Sequence, residues 1–359
     1  MKIGIPKELE PGEARIAVSP DTAKRLVGLG VDVVVERGAG LEAAFEDSAF
    51  EEAGATLSDV DGVWSSDIVL KVRRPQDDEM GRLRNDQVLI GALDPYQNKD
   101  QVKRYAEARI SAFSLELLPR TTRAQAMDIL SSQANLAGYK AVVDAIAAYT
   151  RVMPMMMTAA GTVTPAKLFV VGAGVAGLQA IATARRMGAV VSATDVRPAS
   201  KGEVESLGAK FVGFVPDDMD DAESGGYARA LTEEEQAKQA EMVADHIKSQ
   251  DLVITTAQIP GRKAPRIVNG DMVASMKRGA VIFDLAAESG GNVEGSKPGE
   301  HVRTDNDVTI IGGKNVPATL APAASSLFAR NLFNFLGLLI EKDDDGPSLK
   351  IDTDDNLVA

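Results

Sequence analysis

A glycine-rich turn between two apolar runs, closed downstream by a carboxylate, is the arrangement in this chain best suited to chemistry. Residues 168–171 (LFVV) run into Gly172, Gly174 and Gly177, spaced G-x-G-x-x-G. A helical pattern follows, with Leu178, Ile181, Ala182 and Ala184 on one face, and Gly188 stops it. A second apolar run, 189–194, ends on Asp195. In a dinucleotide site each of these residues has its own task. Gly172 permits the tight turn, Gly174 lets backbone approach a pyrophosphate, and Gly177 lets helix pack on strand. Val175 and Ala176 open the helix, where unpaired N–H groups and the positive end of the dipole face the phosphates. Asp195, with Val196 beside it, lies about 20 residues past the turn, where an acid binds ribose hydroxyls. Its charge repels a 2′-phosphate and favours NAD(H) over NADP(H). Arg197 opposes that preference, because a guanidinium can hold a phosphate. A glycine turn alone also serves to pack a helix on a strand; the flanking runs and the acid favour the nucleotide reading.

A second polar cluster runs through PRTTRAQAMDILSS, from Pro119 to Ser132. If helical, Gln125, Asp128 and Ser131 sit at successive i, i+3 offsets and put amide, carboxylate and hydroxyl on one face. Arg120 and Ser131 suit a carboxamide, while Gln125 and Asp128 suit a ribose. A solvated helix start uses the same residues, and the pattern leaves both readings open. Residues 216–231 make a long strand-to-helix connection carrying one aromatic, Tyr227. Such loops are commonly functional or disordered. A solvated loop and a flap closing Tyr227 over a nucleotide fit it equally.

Missing groups narrow the chemistry. There is no Cys, which excludes disulfides, thiolate metal sites and cysteine nucleophiles, and no metal is expected. His246 falls in a charged helical pattern and His301 in a turn-like stretch, so both are expected at the surface. A dehydrogenase acting on an alcohol or amine needs a base for the departing proton. Hydride passage between two nicotinamides needs only ring alignment. Lys71, expected at a strand end, and Arg15, after a turn, are the groups able to anchor a carboxylate.

The positioning elements read as an α/β protein of two Rossmann-like parallel-sheet domains. Strands are expected at 2–6, 31–36, 67–72, 87–93 and 110–115, and a helix from Ser19-Pro20 to Leu29. Residues 125–151 lack proline, hold one glycine, and read as a single long helix joining the domains. Further strands are expected at 210–215, 252–256, 281–284 and 308–311. A terminal helix from Ser325 is expected to return to the first domain, followed by an acidic tail or hairpin from 343. The first domain is then discontinuous, 1–130 plus 319–359, with the nucleotide domain at 131–318 and a cleft between. The net charge of −13 argues against nucleic acid or an anionic membrane surface as partner. The apolar stretch 327–340, broken by Arg330, Asn331 and Asn334, falls short of the ~20 residues needed to cross a bilayer. A cytoplasmic chain is expected.

With these motifs in place, the chain resembles the soluble NAD(H)-binding alpha subunit of the proton-translocating nicotinamide nucleotide transhydrogenases over nearly its whole length. The resemblance rests on GIPKE with EARIAVSP, RTTRAQAMDILSSQANLAGYKAV, MMMTAAGTVTPAKLFVVGAGVAGLQAIATARRMGA, TDVRP, ESGGYA, DLAAESGG and NVPATLA. It implies an Arg-Gln-Asp loop at Arg120, Gln125 and Asp128 that contacts the nicotinamide end, with Ser131 alongside. It also implies a mobile-loop tyrosine at Tyr227 and a ribose acid at Asp195. The implied reaction is hydride exchange between NAD(H) here and NADP(H) on a partner domain. The implied assembly is a homodimer docked on the inner membrane face beside a membrane-embedded proton-channel subunit. Alanine dehydrogenase is similar at Arg15 and Lys71, which match its carboxylate-binding and catalytic-lysine positions. This chain departs from it at Asp94, where that enzyme has histidine, and at Glu288, where it has aspartate; that enzyme also lacks RAQAMDILSSQ. A nucleotide-sensing module without turnover is the third reading.

Overall fold

The computed structural model describes residues 1–197, 199–214, 232–259, 261–343 and 346–359. The chain divides into two compact units, Met1–Gln133 with Pro317–Ala359, and Ala134–Val316. Each is built on a parallel sheet.

In the first unit β1 (Lys2–Ile5), β2 (Asp32–Glu36), β3 (Thr56–Ser58), β4 (Ile68–Arg73), β5 (Val88–Ala92) and β6 (Ser111–Ser114) form one sheet in the order β3-β2-β1-β4-β5-β6. The second unit opens with a hairpin, β7 (Met156–Thr158) and β8 (Gly161–Val163). Then β9 (Lys167–Val171), β10 (Val190–Thr194), β11 (Lys210–Phe211), β12 (Leu252–Thr255), β13 (Val281–Asp284), β14 (His301–Arg303) and β15 (Thr309–Gly312) pair in the order β11-β10-β9-β12-β13-β15-β14. Only β14 runs antiparallel in that sheet. The chain closes with the antiparallel hairpin β16 (Ile340–Asp343) and β17 (Gly346–Leu349) in the first unit. Both large sheets reverse strand order once, between β1 and β4 and between β9 and β12. In a doubly wound sheet, the carboxyl ends of the strands at that reversal are where ligands bind.

The apolar runs become central strands because both of their faces are covered. Leu168 and Val170 enter one core cluster, while Phe169 and Val171 enter the cluster on the opposite face. Each fully buried side chain of this kind contributes about 1.5–3 kcal/mol. In the first unit the helix Ala321–Leu339 supplies Phe328, Leu332, Phe335, Leu336 and Leu339 to the core under β1 and β4.

Local signals set the helix ends. Ser19 caps Pro20–Gly28 in a reciprocal capping box, and Thr232 with Glu235 does the same for Glu233–Ile247. Gly188, at φ +85°, closes the helix Val175–Arg186 through Gly188 N–H to Arg185 O (2.9 Å) and Ala189 N–H to Ala184 O (3.1 Å). These bonds form a Schellman motif, which favours glycine at the left-handed position.

Several expectations are corrected. The long helix does not start at residue 125: Thr122–Met127 is a 3-10 turn, Asp128 is extended, and the helix runs Ile129–Ala148. Asp128 stops the turn by acting as N-cap, accepting from Ser131 N–H at 2.9 Å. The terminal helix begins at Ala321, because Pro322 fits its first turn. His301 lies in β14, though exposed, and His246 is half-buried, its Nε2 2.7 Å from Ser192 Oγ. Burial holds the His246 pKa below its usual value. Strand β11 covers only Lys210–Phe211, and Val215 lies outside the described residues. Among the described residues no helix is long and apolar enough to cross a membrane.

Candidate functional site

Steric accounting separates the roles of the three glycines in the second unit. Gly172 sits at φ +99°, a conformation costly for other residues. A Cβ on Gly177 would meet the Gly172 carbonyl oxygen at 1.8 Å, so this residue has to lack a side chain for the helix to reach the strand. A Cβ on Gly174 would meet nothing within 4 Å. Open space therefore lies where a pyrophosphate needs close backbone approach. Gly174 is also the N-cap of Val175–Arg186 and supplies no side-chain cap. The first-turn N–H groups, at Val175, Ala176 and Gly177, are left to an outside acceptor.

Asp195 follows β10 and is wired to this turn. One carboxylate oxygen accepts Ala173 N–H at 2.6 Å, and the other accepts Arg197 N–H at 2.8 Å. The Arg197 guanidinium pairs with the same carboxylate at 3.1 Å and donates to the Ala173 carbonyl at 2.9 Å. Acid, arginine and glycine turn thus form one unit, and the carboxylate is oriented before any ligand arrives. Val175 and Val196 are exposed beside it.

Residues that sequence reasoning missed hold this turn from behind. Thr256 Oγ1 donates to the Gly172 carbonyl at 2.9 Å, bridging β12 to the end of β9. Asp284, fully buried, accepts from Thr255 Oγ1 (3.0 Å), Ala286 N (3.0 Å) and Val293 N (3.2 Å), which fixes the loop after β13. Gly138 on Ile129–Ala148 leaves no room for a side chain: a Cβ there would stand 2.0 Å from the Ala176 carbonyl. Its being the one glycine in an otherwise helical run was the available signal.

In the first unit the Arg-Gln-Asp segment takes a different shape from the expected helical face. Ser131 Oγ donates to Asp128 at 2.6 Å, so that pair is brought together. Arg120 and Gln125 are exposed, and their side chains hydrogen-bond to no described residue. Tyr227, with the rest of 216–231, lies outside the described residues.

Arg15 and Lys71 lie inside the first unit. Lys71, expected at a strand end, is interior to β4 with its side chain 1% exposed, 2.6 Å from Glu79 and 3.4 Å from Glu8. Its strand is covered on both faces, which the sequence pattern alone did not reveal. Arg15 is held by Glu13 at 2.7 and 2.6 Å and by Gln133 at 2.8 Å. Asp94 is exposed at φ +46°, accepts from Asn98, and has its pKa raised by partial burial. Glu288 accepts Asn315 N–H at 2.8 Å.

Burial pushes Glu8 up to about 7 from 4.5, with Lys71 pulling the other way. Protonated Glu8 is favoured by folding, so its contribution is intact below the unfolded-chain value near 4.5 and is lost as pH rises through about 7. The loss is on the order of 3 kcal/mol. Glu8→Gln keeps an oxygen for Val72 N–H, which Glu8 accepts at 2.6 Å, and does not titrate. Urea unfolding across that window is expected to show a shallower decline for Glu8→Gln than for the parent chain. Equal slopes would show that Glu8 is not the group responsible.

Known proteins share this two-unit outline. Residues 4–137 match the family model described as alanine dehydrogenase/PNT, N-terminal domain, and residues 141–359 match its C-terminal domain. The chain is 50% identical over 351 residues to an NAD(P) transhydrogenase subunit alpha of Rhodospirillum rubrum, covering 96% of this chain and 91% of that one. The crystal structure of transhydrogenase from Sinorhizobium meliloti superposes with a TM-score of 0.90 at 50% identity, covering 100% of this chain and 96% of that one. Identity falls to 29% with alanine dehydrogenase of Halomonas elongata, over 95% of this chain and 88% of that enzyme.

Proposed function

The chain belongs to the alanine dehydrogenase/PNT family, and on that premise we propose that it is the alpha-type subunit of a proton-translocating NAD(P) transhydrogenase. In this reading it holds NAD(H) and exchanges hydride with NADP(H) held on a partner domain. The observation that carries it is the open glycine turn: bare backbone at Gly174, a helix start with no side-chain cap, and a preoriented Asp195. The turn fits a pyrophosphate and the carboxylate fits a ribose diol.

Bound there, NAD(H) supplies the hydride chemistry; the protein binds, orients and excludes. Arg120 and Ser131 are assigned to the carboxamide, and Gln125 and Asp128 to the ribose and the docking face. The Ser131 proton is committed to Asp128, so its hydroxyl would accept from the carboxamide NH2. Tyr227 is assigned to closure over the nucleotide on the resemblance alone. Partner subunits, one membrane-embedded, would place the chain peripherally on the inner face of the membrane.

A homodimer fits the hairpin β7–β8. Met155, Met156, Met157 and Val163 are exposed on it, and a lone two-stranded hairpin is marginal in water. A second copy would cover it. Sedimentation returning a monomer would remove this part of the reading.

Asp195→Ala is expected to erode discrimination against NADPH by roughly tenfold, about 1.4 kcal/mol of lost repulsion and hydrogen bonding. Titration of NADH and NADPH by tryptophan or nicotinamide fluorescence reads it. Unchanged selectivity would end the ribose assignment.

The function itself is tested by mixing the chain with a transhydrogenase NADP(H)-binding domain and following hydride exchange, with L-alanine and NAD⁺ as a parallel arm. Reaction in the first arm alone is expected. The alanine arm is expected to stay silent because Lys71 and Arg15 are both engaged by buried carboxylates, and Asp94 stands where a histidine would relay the proton.

A further inference from the structure

The segment from Arg120 to Met127 has little regular structure to hold it, since one 3-10 turn fixes few of its backbone groups. Packing beneath it is incomplete. A cavity of about 410 Å³ is lined by Leu117, Leu118 and Pro119 immediately before the segment, and by Phe335, Leu357 and Val358. Polar clamps from distant sequence do the holding instead. Arg123 makes a two-point pair with Asp355, Nη1 to Oδ1 at 2.8 Å and Nη2 to Oδ2. Asn331 and Asn334 both donate Nδ2–H to the Ala126 carbonyl, at 2.9 and 2.8 Å. Asp355 is anchored in turn, because its Oδ1 accepts Leu357 N–H at 3.0 Å and the Leu357 and Val358 side chains are buried in the core.

We propose that Asp355 is a positioning residue: through Arg123 it sets the height and tilt of the loop that presents Arg120 and Gln125. The proposal rests on the hydride-exchange reading given above. The four donor–acceptor pairs all fall on residues 123 and 126, between or beside those two exposed side chains. Releasing them frees the loop over a void without removing any group assigned to the nucleotide.

The test uses the full chain with the NADP(H)-binding partner domain. Asp355→Ala is expected to lower kcat for hydride exchange roughly tenfold or more, the scale of an ångström-level misplacement. The KM for NADH is expected to stay within about twofold. Arg123→Ala should match it, and the double variant should be no slower than either single variant. Asp100→Ala, which breaks an exposed pair with Lys103 in the same unit, should leave the rate unchanged. Amide exchange with no nucleotide present should quicken at residues 120–127 in both clamp variants. If Asp355→Ala also loosens β16–β17, Arg123→Ala decides, since it leaves the Leu357 anchor in place. Variant rates equal to the parent, additive single effects, or unchanged exchange at 120–127 would overturn the proposal. Failure of the hydride-exchange reading looks different, because then the parent chain is silent too while the amide-exchange result still reports on the clamp.

Discussion

Gly174→Ala is expected to fold like the parent chain and bind NADH at least about a hundredfold more weakly. The residue has φ −75°, which alanine adopts freely, and its Cβ would project into open space. That methyl would occupy the room a pyrophosphate needs beside the helix N-terminus. Gly177→Ala is expected to fail differently. Its Cβ would lie 1.8 Å from the Gly172 carbonyl oxygen, so the helix must shift and stability falls, by about 3 kcal/mol. Thermal unfolding and NADH titration on both variants separate the two. A Gly174→Ala chain that binds NADH normally would show that phosphate does not approach this backbone. A Gly177→Ala chain with parental stability would show that the close approach of helix to strand is not a constraint.

Arg120→Ala should slow hydride exchange by about a hundredfold or more while changing the NADH dissociation constant less than about threefold. The argument is one of unspent capacity: the Arg120 guanidinium is exposed and makes no hydrogen bond to a described residue, so deleting it removes no structural contact. A residue that only aligns the reacting ring affects kcat and kcat/KM together. Rapid-mixing kinetics with the partner domain, beside equilibrium binding to the chain alone, gives both numbers. A loss confined to the dissociation constant would make Arg120 a binding residue and withdraw its alignment role.

What could be read beforehand follows from where the physics is local. The strand–turn–helix–strand unit from 167 to 195 was legible because its apolar runs, glycine spacing and terminal acid all lie within one continuous stretch. Ser19-Pro20 and Thr232 announced helix starts for the same reason. The helical face imagined for Gln125, Asp128 and Ser131 failed because Asp128 competes for the backbone as an N-cap, an outcome that periodicity does not register. Lys71 in the core and Asp355 on Arg123 were invisible for another reason. Their partners come from distant sequence, and each charged residue looks solvated until its counter-ion is placed. Short β3 and β7–β8 carried too few residues for alternation to emerge.

The most direct measurement loads the chain with NADH deuterated at C4 on the transferring face and mixes it with a partner domain carrying NADP⁺. Direct exchange places the deuterium on C4 of the NADPH formed, with none released to water, and stops when either protein is omitted. NADPH lacking the label, or NADPH formed equally well with the partner left out, would contradict the account.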